Sequence, residues 1–439
     1  EAIAALREGV ISSRELTERV FTRIRRHNSK INAFVTLLEA QALEQARQAD
    51  EQRARGQAQG ALHGLPVVVK DSLEIAGVRT TSGSKTLATH VPKRDATVVA
   101  RLKEAGAIVI GKTNLPEFAS DWQSYNDVAG TTNNPWDLTR TPGGSTGGGA
   151  AALAAGLGFL EIGSDIAGSI RVPSHFCGVY GHKPTHGIVP LHGHIPPPPG
   201  VAPGLQTLPV IGPMARSAAD LLLELNVLAG PSGDDAVAYR WTLPKPRRSR
   251  LRDYRIGVVL DDPFCPVDAE VAKVLAEAIA ALRKAGVQVT EGWPQGFNPR
   301  ESLENYWFLL GAETDSGAPA PRFDQLLKAV ENGHASHLFW VRLRGSATGA
   351  HRTACDCGLV PSGVSTSAAS MLFSRPWLSS LRFPTITSLM LPHERSPRPR
   401  ARGRMETWRA GSCPRRSPVA RQPQYPSAEP QAVCRSPCR

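Results

Sequence analysis

The segment Pro142-Gly143-Gly144-Ser145-Thr146-Gly147-Gly148-Gly149 constrains this chain more than any other. Glycine is a poor helix former and offers a strand no side chain to pack, so such density is unfavourable in ordinary elements. What it provides is a backbone that takes unusual conformations and lets other atoms approach closely. The sequence from Gly149 to Leu160 continues Ala/Gly-rich and is the most apolar stretch of the chain. It is too short to cross a bilayer and reads as a packed helix.

Around this block the periodicities predict an α/β fold: a mixed, mostly buried sheet surrounded by helices. Ser12-x-x-Glu15 is a capping box, and Leu16, Val20 and Ile24 follow at four-residue intervals, which predicts an amphipathic helix to about Asn28. A second helix is predicted over 39–55. Leu65 to Val69 reads as a buried strand. Asp95 is expected to cap a helix carrying Val98, Val99 and Leu102, ended by Gly106, before a strand over 107–110. Alternation of this kind argues for helices packed on a buried sheet. After a Pro/Arg-rich crossing over 241–250, a strand is expected over 254–260. A helix started by Asp268 and a strand over 287–289 follow. The expected organisation is a helical segment 1–58, a core 59–240, an α/β continuation of the same domain 241–335, and a tail 336–439. The chain opens on Glu1, not Met, so a few N-terminal residues are expected to be missing, and no signal-peptide pattern is seen.

Composition matters mainly for that tail. Residues 341–439 hold 16 Arg, no Lys and 4 acidic residues, which accounts for the whole net charge of +12. Five of the seven cysteines lie there too; only Cys177 and Cys265 remain in the body, as in a reduced cytoplasmic enzyme. Helix and strand periodicities fade after about residue 336. The abrupt shift to Arg, Pro and Cys is the pattern of a misread frame in a GC-rich gene, with a disordered basic tail as the alternative. On the first reading the chain as written would be poorly soluble and catalytically impaired, because a sheet edge and apolar surface would be left uncovered.

Two further segments bear on chemistry. Lys70 ends the apolar run Leu65-Pro66-Val67-Val68-Val69 and is followed by Asp71. Ser169 lies in Gly163-Ser164-Asp165-Ile166-Ala167-Gly168-Ser169-Ile170-Arg171. A Ser hydroxyl is a weak nucleophile and needs a base. A Lys serves as one only when neutral, so burial must lower its pKa to about 7–8. Lys70, at the end of an apolar strand, is placed for such desolvation.

These three segments, in this order and with Lys70 75 residues before Ser145, resemble the amidase signature family of Ser-Ser-Lys hydrolases. The resemblance runs from about residue 10 to 335 and includes His182-Lys183-Pro184-Thr185. It implies hydrolysis of a carboxylic amide to an acid plus ammonia or amine, with no cofactor and no metal. Ser169 would attack the carbonyl, and Ser145 would relay its proton to Lys70 and back to the leaving amine. The resemblance also implies a cis peptide between Gly144 and Ser145, and an oxyanion hole made by the N–H groups of Ile166, Ala167, Gly168 and Ser169. Ala167 stands where the family usually has Gly, which would strain the hole if that residue needs positive φ. Thr146 replaces a commoner Ser and leaves a hydroxyl to orient Lys70. Asp165 and Arg171 read as structural charges holding the nucleophile loop, and Gly144 as support for the triad. A loop before the Gly block lines the acyl pocket in the family; here Ser120, Asp121 and Trp122 would contact substrate, Trp122 being equally readable as core.

The family also contains the A subunit of the tRNA-dependent amidotransferase, which draws ammonia from glutamine for a partner; the loop and the His182 block look more like stand-alone amidases. A small-molecule amide is the expected partner, without nucleic acid or membrane, and a homodimer is left open. Nucleic-acid binding by the Arg-rich tail is an alternative of another class, weakened by the lack of interleaved aromatics. Gly106-x4-Gly111-Lys112-Thr113 matches a phosphate-loop pattern, but its intervening residues read as a strand, where a flexible cradle is required. His175, His182, His186, His192 and His194 crowd one region, yet Lys183-Pro184-Thr185 breaks the helix that would align His182 with His186 on a metal, so they read as loop or core histidines.

Overall fold

The computed structural model describes residues 1–200 and 206–315. The expectations for residues 336–439 lie outside these described residues. In chain order the elements begin with α1 (Ala2–Arg7), α2 (Ser13–Ile31), β1 (Phe34–Leu37) and α3 (Glu39–Ala54). Next come β2 (Pro66–Lys70), α4 (Thr97–Glu104), β3 (Ile108–Thr113) and a small hairpin of β4 (Tyr125–Asn126) and β5 (Gly130–Thr131). They continue with α5 (Gly147–Ala154), β6 (Leu160–Asp165), α6 (Arg171–Cys177), β7 (Tyr180–Gly181), β8 (Val210–Ala215) and α7 (Ala218–Leu228). The last are α8 (Asp235–Ala238), β9 (Arg255–Val258), α9 (Ala269–Lys284), β10 (Gln288–Glu291) and α10 (Pro299–Asp315).

Six strands form one mixed sheet in the order β1-β3-β2-β6-β8-β7. The inner strands β3, β2 and β6 run parallel, and β1, β8 and β7 join antiparallel. The predicted α/β class with a mixed, buried sheet is what the chain forms. Every residue of β2, β3, β6 and β8 is buried. Strand side chains alternate between faces, so Val67 and Val69 enter a core with Val98, Val99 and Leu102 of α4 and Leu225 and Leu228 of α7. Val68 enters the opposite core, with Phe21 and Ile24 of α2 and Ala150 to Leu153 of α5. Lys70 follows two residues after Val68, so the chain directs it toward the α5 side.

Local signals set most element starts. The Ser12 side chain accepts from the Glu15 N–H to begin α2, and Asp268 accepts from the Glu270 N–H to begin α9. α2 runs to Ile31, beyond the expected Asn28, and ends at Asn32 in the left-handed region. One expectation fails: Asp95 does not cap α4. Ala96 occupies the N-cap without a side-chain bond, because the Asp95 carboxylate is taken by the Ala76 N–H and the Lys103 ammonium. β9 and β10 pair in parallel as a separate two-stranded sheet. Among the described residues no helix is long and apolar enough to cross a membrane.

Candidate active site

β2 is flanked by β3 and β6, so its last residue, Lys70, emerges inside the protein and is wholly buried. Its Nζ donates to Ser145 Oγ at 2.6 Å and to Ser164 Oγ at 3.0 Å. Burial pulls its pKa down to about 7, against the opposing pull of the Glu161 and Asp165 carboxyl groups. An amine in that range is neutral often enough near pH 7 to accept a proton from a neighbouring hydroxyl.

Ser145 sits at the bend where the Gly block enters α5, and the Gly144–Ser145 peptide is cis. A Cβ on Gly144 would lie 2.7 Å from the Asp121 carbonyl oxygen, so only glycine lets the 121–123 backbone press against this bend. The bend is pinned by a residue that sequence reasoning did not single out. Buried Ser124 accepts from the Gly147 N–H and donates to the Gly143 carbonyl. Thr146 links the two serine segments through its N–H, which donates to the Ser169 carbonyl at 3.1 Å. Its hydroxyl donates toward the Ser164 carbonyl at 3.4 Å and does not reach Lys70. The hydroxyl that orients Lys70 beside Ser145 is that of Ser164, a role expected of Thr146.

Ser169 lies in the turn from β6 into α6 and is 4% exposed. The turn is organised around Asp165. Its carboxylate forms a two-pronged pair with Arg171 and accepts the N–H groups of Gly168, Ile170 and Arg171. Burial opposes that charge, but Arg171 and the backbone donors outweigh it and hold the carboxyl below the usual range. The expected four-donor oxyanion hole is thereby reduced. The Gly168 N–H already binds Asp165 at 2.8 Å, whereas those of Ile166, Ala167 and Ser169 have no partner among the described residues. Ala167 is not among the residues with positive φ; Gly168 next to it has φ 112°. The strain anticipated for Ala167 is absent, because the left-handed position falls on the glycine.

The three expected substrate contacts differ in what they do. Ser120 donates to the Glu117 carbonyl, and Asp121 accepts from the Tyr125 hydroxyl and the Gln123 N–H, so both are engaged in shaping their own loop. Trp122 is 55% exposed, which rules out the core reading, and its Nε1 donates to the Ala167 carbonyl at 2.9 Å. Tyr306 of α10, 140 residues further along the chain, donates to the Ile166 carbonyl. Two aromatic side chains therefore flank the backbone that carries the open N–H groups. Tyr306 gave no sequence signal, since its approach depends on how α10 packs.

The phosphate-loop match resolves into structure. Lys112 lies in buried β3 and pairs with Asp71 at 3.0 Å, while donating to the Leu73 carbonyl and Thr80 hydroxyl. It is committed to bracing the residue after Lys70. Of the five histidines, His186 bonds the Gln206 carbonyl and His194 the Pro196 carbonyl. Burial lowers the pKa of His194 to about 4, with the nearby Lys70 charge adding to the effect. Among the described residues no group of three His, Cys, Asp or Glu is arranged to hold a metal.

The chain is similar to known amidases and amidotransferase subunits. The family model described as Amidase matches residues 15–325. The A subunit of glutamyl-tRNA(Gln) amidotransferase from Carboxydothermus hydrogenoformans is 40% identical over 310 residues, and that from Moorella thermoacetica 42% over 310 residues. Each alignment covers 70% of this chain, and the chain spans only 62% of the length of either relative. Among solved structures, native peptide amidase from Stenotrophomonas maltophilia superposes with a TM-score of 0.63 at 29% identity, covering 81% of this chain and 76% of that one. Fatty acid amide hydrolase shares the fold, with a TM-score of 0.66 at 22% identity over 82% of this chain and 62% of that one.

Proposed function

This chain belongs to the amidase family, and from that premise we propose that it cleaves a carboxylic amide through an acyl-enzyme on Ser169. The observation that carries the reading is the wholly buried Lys70, with its pKa lowered to about 7 and its Nζ 2.6 Å from Ser145 Oγ. Neutral Lys70 takes the Ser145 proton as Ser145 takes that of Ser169, whose oxygen attacks the amide carbonyl. The N–H groups of Ile166, Ala167 and Ser169 receive the developing oxyanion. Ser145 returns the proton to the leaving nitrogen, and water then hydrolyses the acyl-enzyme. No hydrogen bond joins the two serine hydroxyls among the described residues; that contact closes when substrate is seated, as catalytic hydrogen bonds commonly do.

Two substrate classes fit this chemistry. The relatives at 40% and 42% identity are amidotransferase A subunits, which favours glutamine as ammonia donor for a partner. The peptide amidase likeness at 29% identity favours a stand-alone hydrolase acting on a peptide-like amide between Trp122 and Tyr306. Release of ammonia or amine from glutamine and from aliphatic, aryl and peptide amides separates them. Glutamine turnover that occurs only with partner subunits supports the first, and turnover of simple amides by the chain alone supports the second. A fluorophosphonate adduct should map to Ser169; failure of Ser169 to react, with no amide turned over, would refute both.

A further inference from the structure

One buried acid close to Lys70 has no part in the chemistry above. Glu161 of β6 lies opposite Val68 of β2, two residues before Lys70, and is wholly buried. Its carboxyl fills the space under the first turn of α5: a Cβ on Gly149 would meet Glu161 Oε1 at 2.4 Å, so the glycine there is shaped around the acid. Oε1 accepts from the Thr113 hydroxyl at 2.8 Å, while Oε2 is buried without a hydrogen-bond partner. Neither nearby lysine is bonded to it. Lys70 donates to Ser145 and Ser164, and Lys112 pairs with Asp71.

We propose that Glu161 is a positioning residue for the base: it is held as the uncharged acid beneath the Gly block and thereby leaves Lys70 without its proton. A carboxylate with one hydrogen bond and no ion pair in a dry interior is strongly disfavoured, so the proton resides on the unpartnered oxygen. Burial accordingly pushes the Glu161 pKa up to about 8, with the Thr113 hydroxyl and then the Lys70 and Lys112 charges opposing. The other faces supply nothing that would ionise it. α5 and β8 carry no titratable side chain. From α7 comes Glu224, wholly buried itself and raised well above the usual range by burial, with Glu161 adding to the shift. Glu161 is also the first carboxyl group acting on Lys70, ahead of Asp165. Ionised, it would hold a proton on Lys70 and block transfer from Ser145. Protonated, it lets the pair share a single proton with the amine neutral.

The inference rests on Lys70 being the base, but its test does not require turnover. In the full chain labelled at the lysine ε-carbon, the Lys70 resonance is assigned by its loss in Lys70→Met and followed by NMR against pH. Glu161→Gln keeps the shape of the acid and cannot ionise. A neutral amide in place of a neutral acid should leave the Lys70 titration and the pH dependence of fluorophosphonate trapping at Ser169 where they are in the wild type. In the wild type labelled also at the glutamate δ-carbon, the resonance that this variant lacks should report a protonated carboxyl up to about pH 8. Thr113→Val removes the one bond that favours the charged carboxylate, and should likewise leave the Lys70 titration in place if Glu161→Gln does not fold. A Lys70 titration moved clearly down in either variant, or a Glu161 carboxyl already ionised where Lys70 is still charged, overturns the proposal. If the wild type shows a protonated Glu161 and the lowered Lys70 titration while Ser169 is never trapped, the hydrolase reading fails and this one stands.

Discussion

The six-stranded sheet and the β9–α9–β10 segment are made from the same kind of sequence, apolar strands joined to amphipathic helices, and they end up with different physics. Every residue of β2, β3, β6 and β8 is buried. In the second region Ile256 is buried in β9 and Val287 just before β10, and α9 has no buried residue although Val271, Val274, Leu275 and Ile279 line one side of it. Local pattern makes the elements in both places. Layers on both faces of a sheet remove water, and a dry interior depresses a lysine and keeps a carboxyl protonated. The candidate site lies in the first region, where Lys70 and Glu161 are wholly buried.

Replacing the nucleophile tests this contrast most severely. Ser169→Ala should abolish amide hydrolysis, and Ser145→Ala and Lys70→Ala should each cost about 10²–10⁴-fold, measured as ammonia release. Near-wild-type turnover in purified Ser169→Ala would sink the assignment. The packing difference should emerge next, in denaturant midpoints. Leu153→Ala, in the doubly covered core, should cost about 2–5 kcal/mol, against about 1 kcal/mol for Leu275→Ala on α9. Equal losses would mean that the two regions are not distinct in burial.

Acidity then reads the dry interior directly. Because burial lowers the Lys70 pKa to about 7, the amine is neutral above that value and protonated below it. Acylation should therefore fall about tenfold per unit below pH 7 and level off above it. A flat rate from pH 6 to 9, with acylation limiting, would contradict a neutral lysine base. Ser164→Ala removes one hydrogen bond to Lys70, and a loss of about 1 kcal/mol, roughly fivefold in rate, is expected; no change would show that Ser145 alone orients the amine. The smallest effect is expected at Ala167, whose φ is not positive. Ala167→Gly should leave the acylation rate unchanged, and a clear gain would revive the strained-hole reading.

The residues brought together at Lys70 were legible in part. Lys70, Ser145, Ser169, Asp165 and Arg171 lie in short segments whose order and spacing are visible along the chain. Ser164 and Glu161 lie within or just before the Ser169 segment, yet nothing local distinguishes them. Their roles depend on β6 pairing beside β2, which sets Glu161 opposite Val68 and brings Ser164 within 3.0 Å of Lys70. Ser124 and Tyr306 were illegible for the same reason, their partners being remote in sequence. Asp95 misled because an N-cap residue type was read without the competing Lys103 ammonium.

The sequence by itself determined the α/β class, most helix starts and the three chemical segments, because capping, periodicity and glycine conformational freedom act over a few residues. Tertiary structure alone decided which hydroxyl holds Lys70, which N–H groups remain open at Ser169, and that Lys112 braces the base as the partner of Asp71. It also decided the charge on the buried groups. Desolvation and ion pairing depend on the layers that exclude water and on the strand register that sets neighbours, and neither is fixed until remote parts of the chain have packed together.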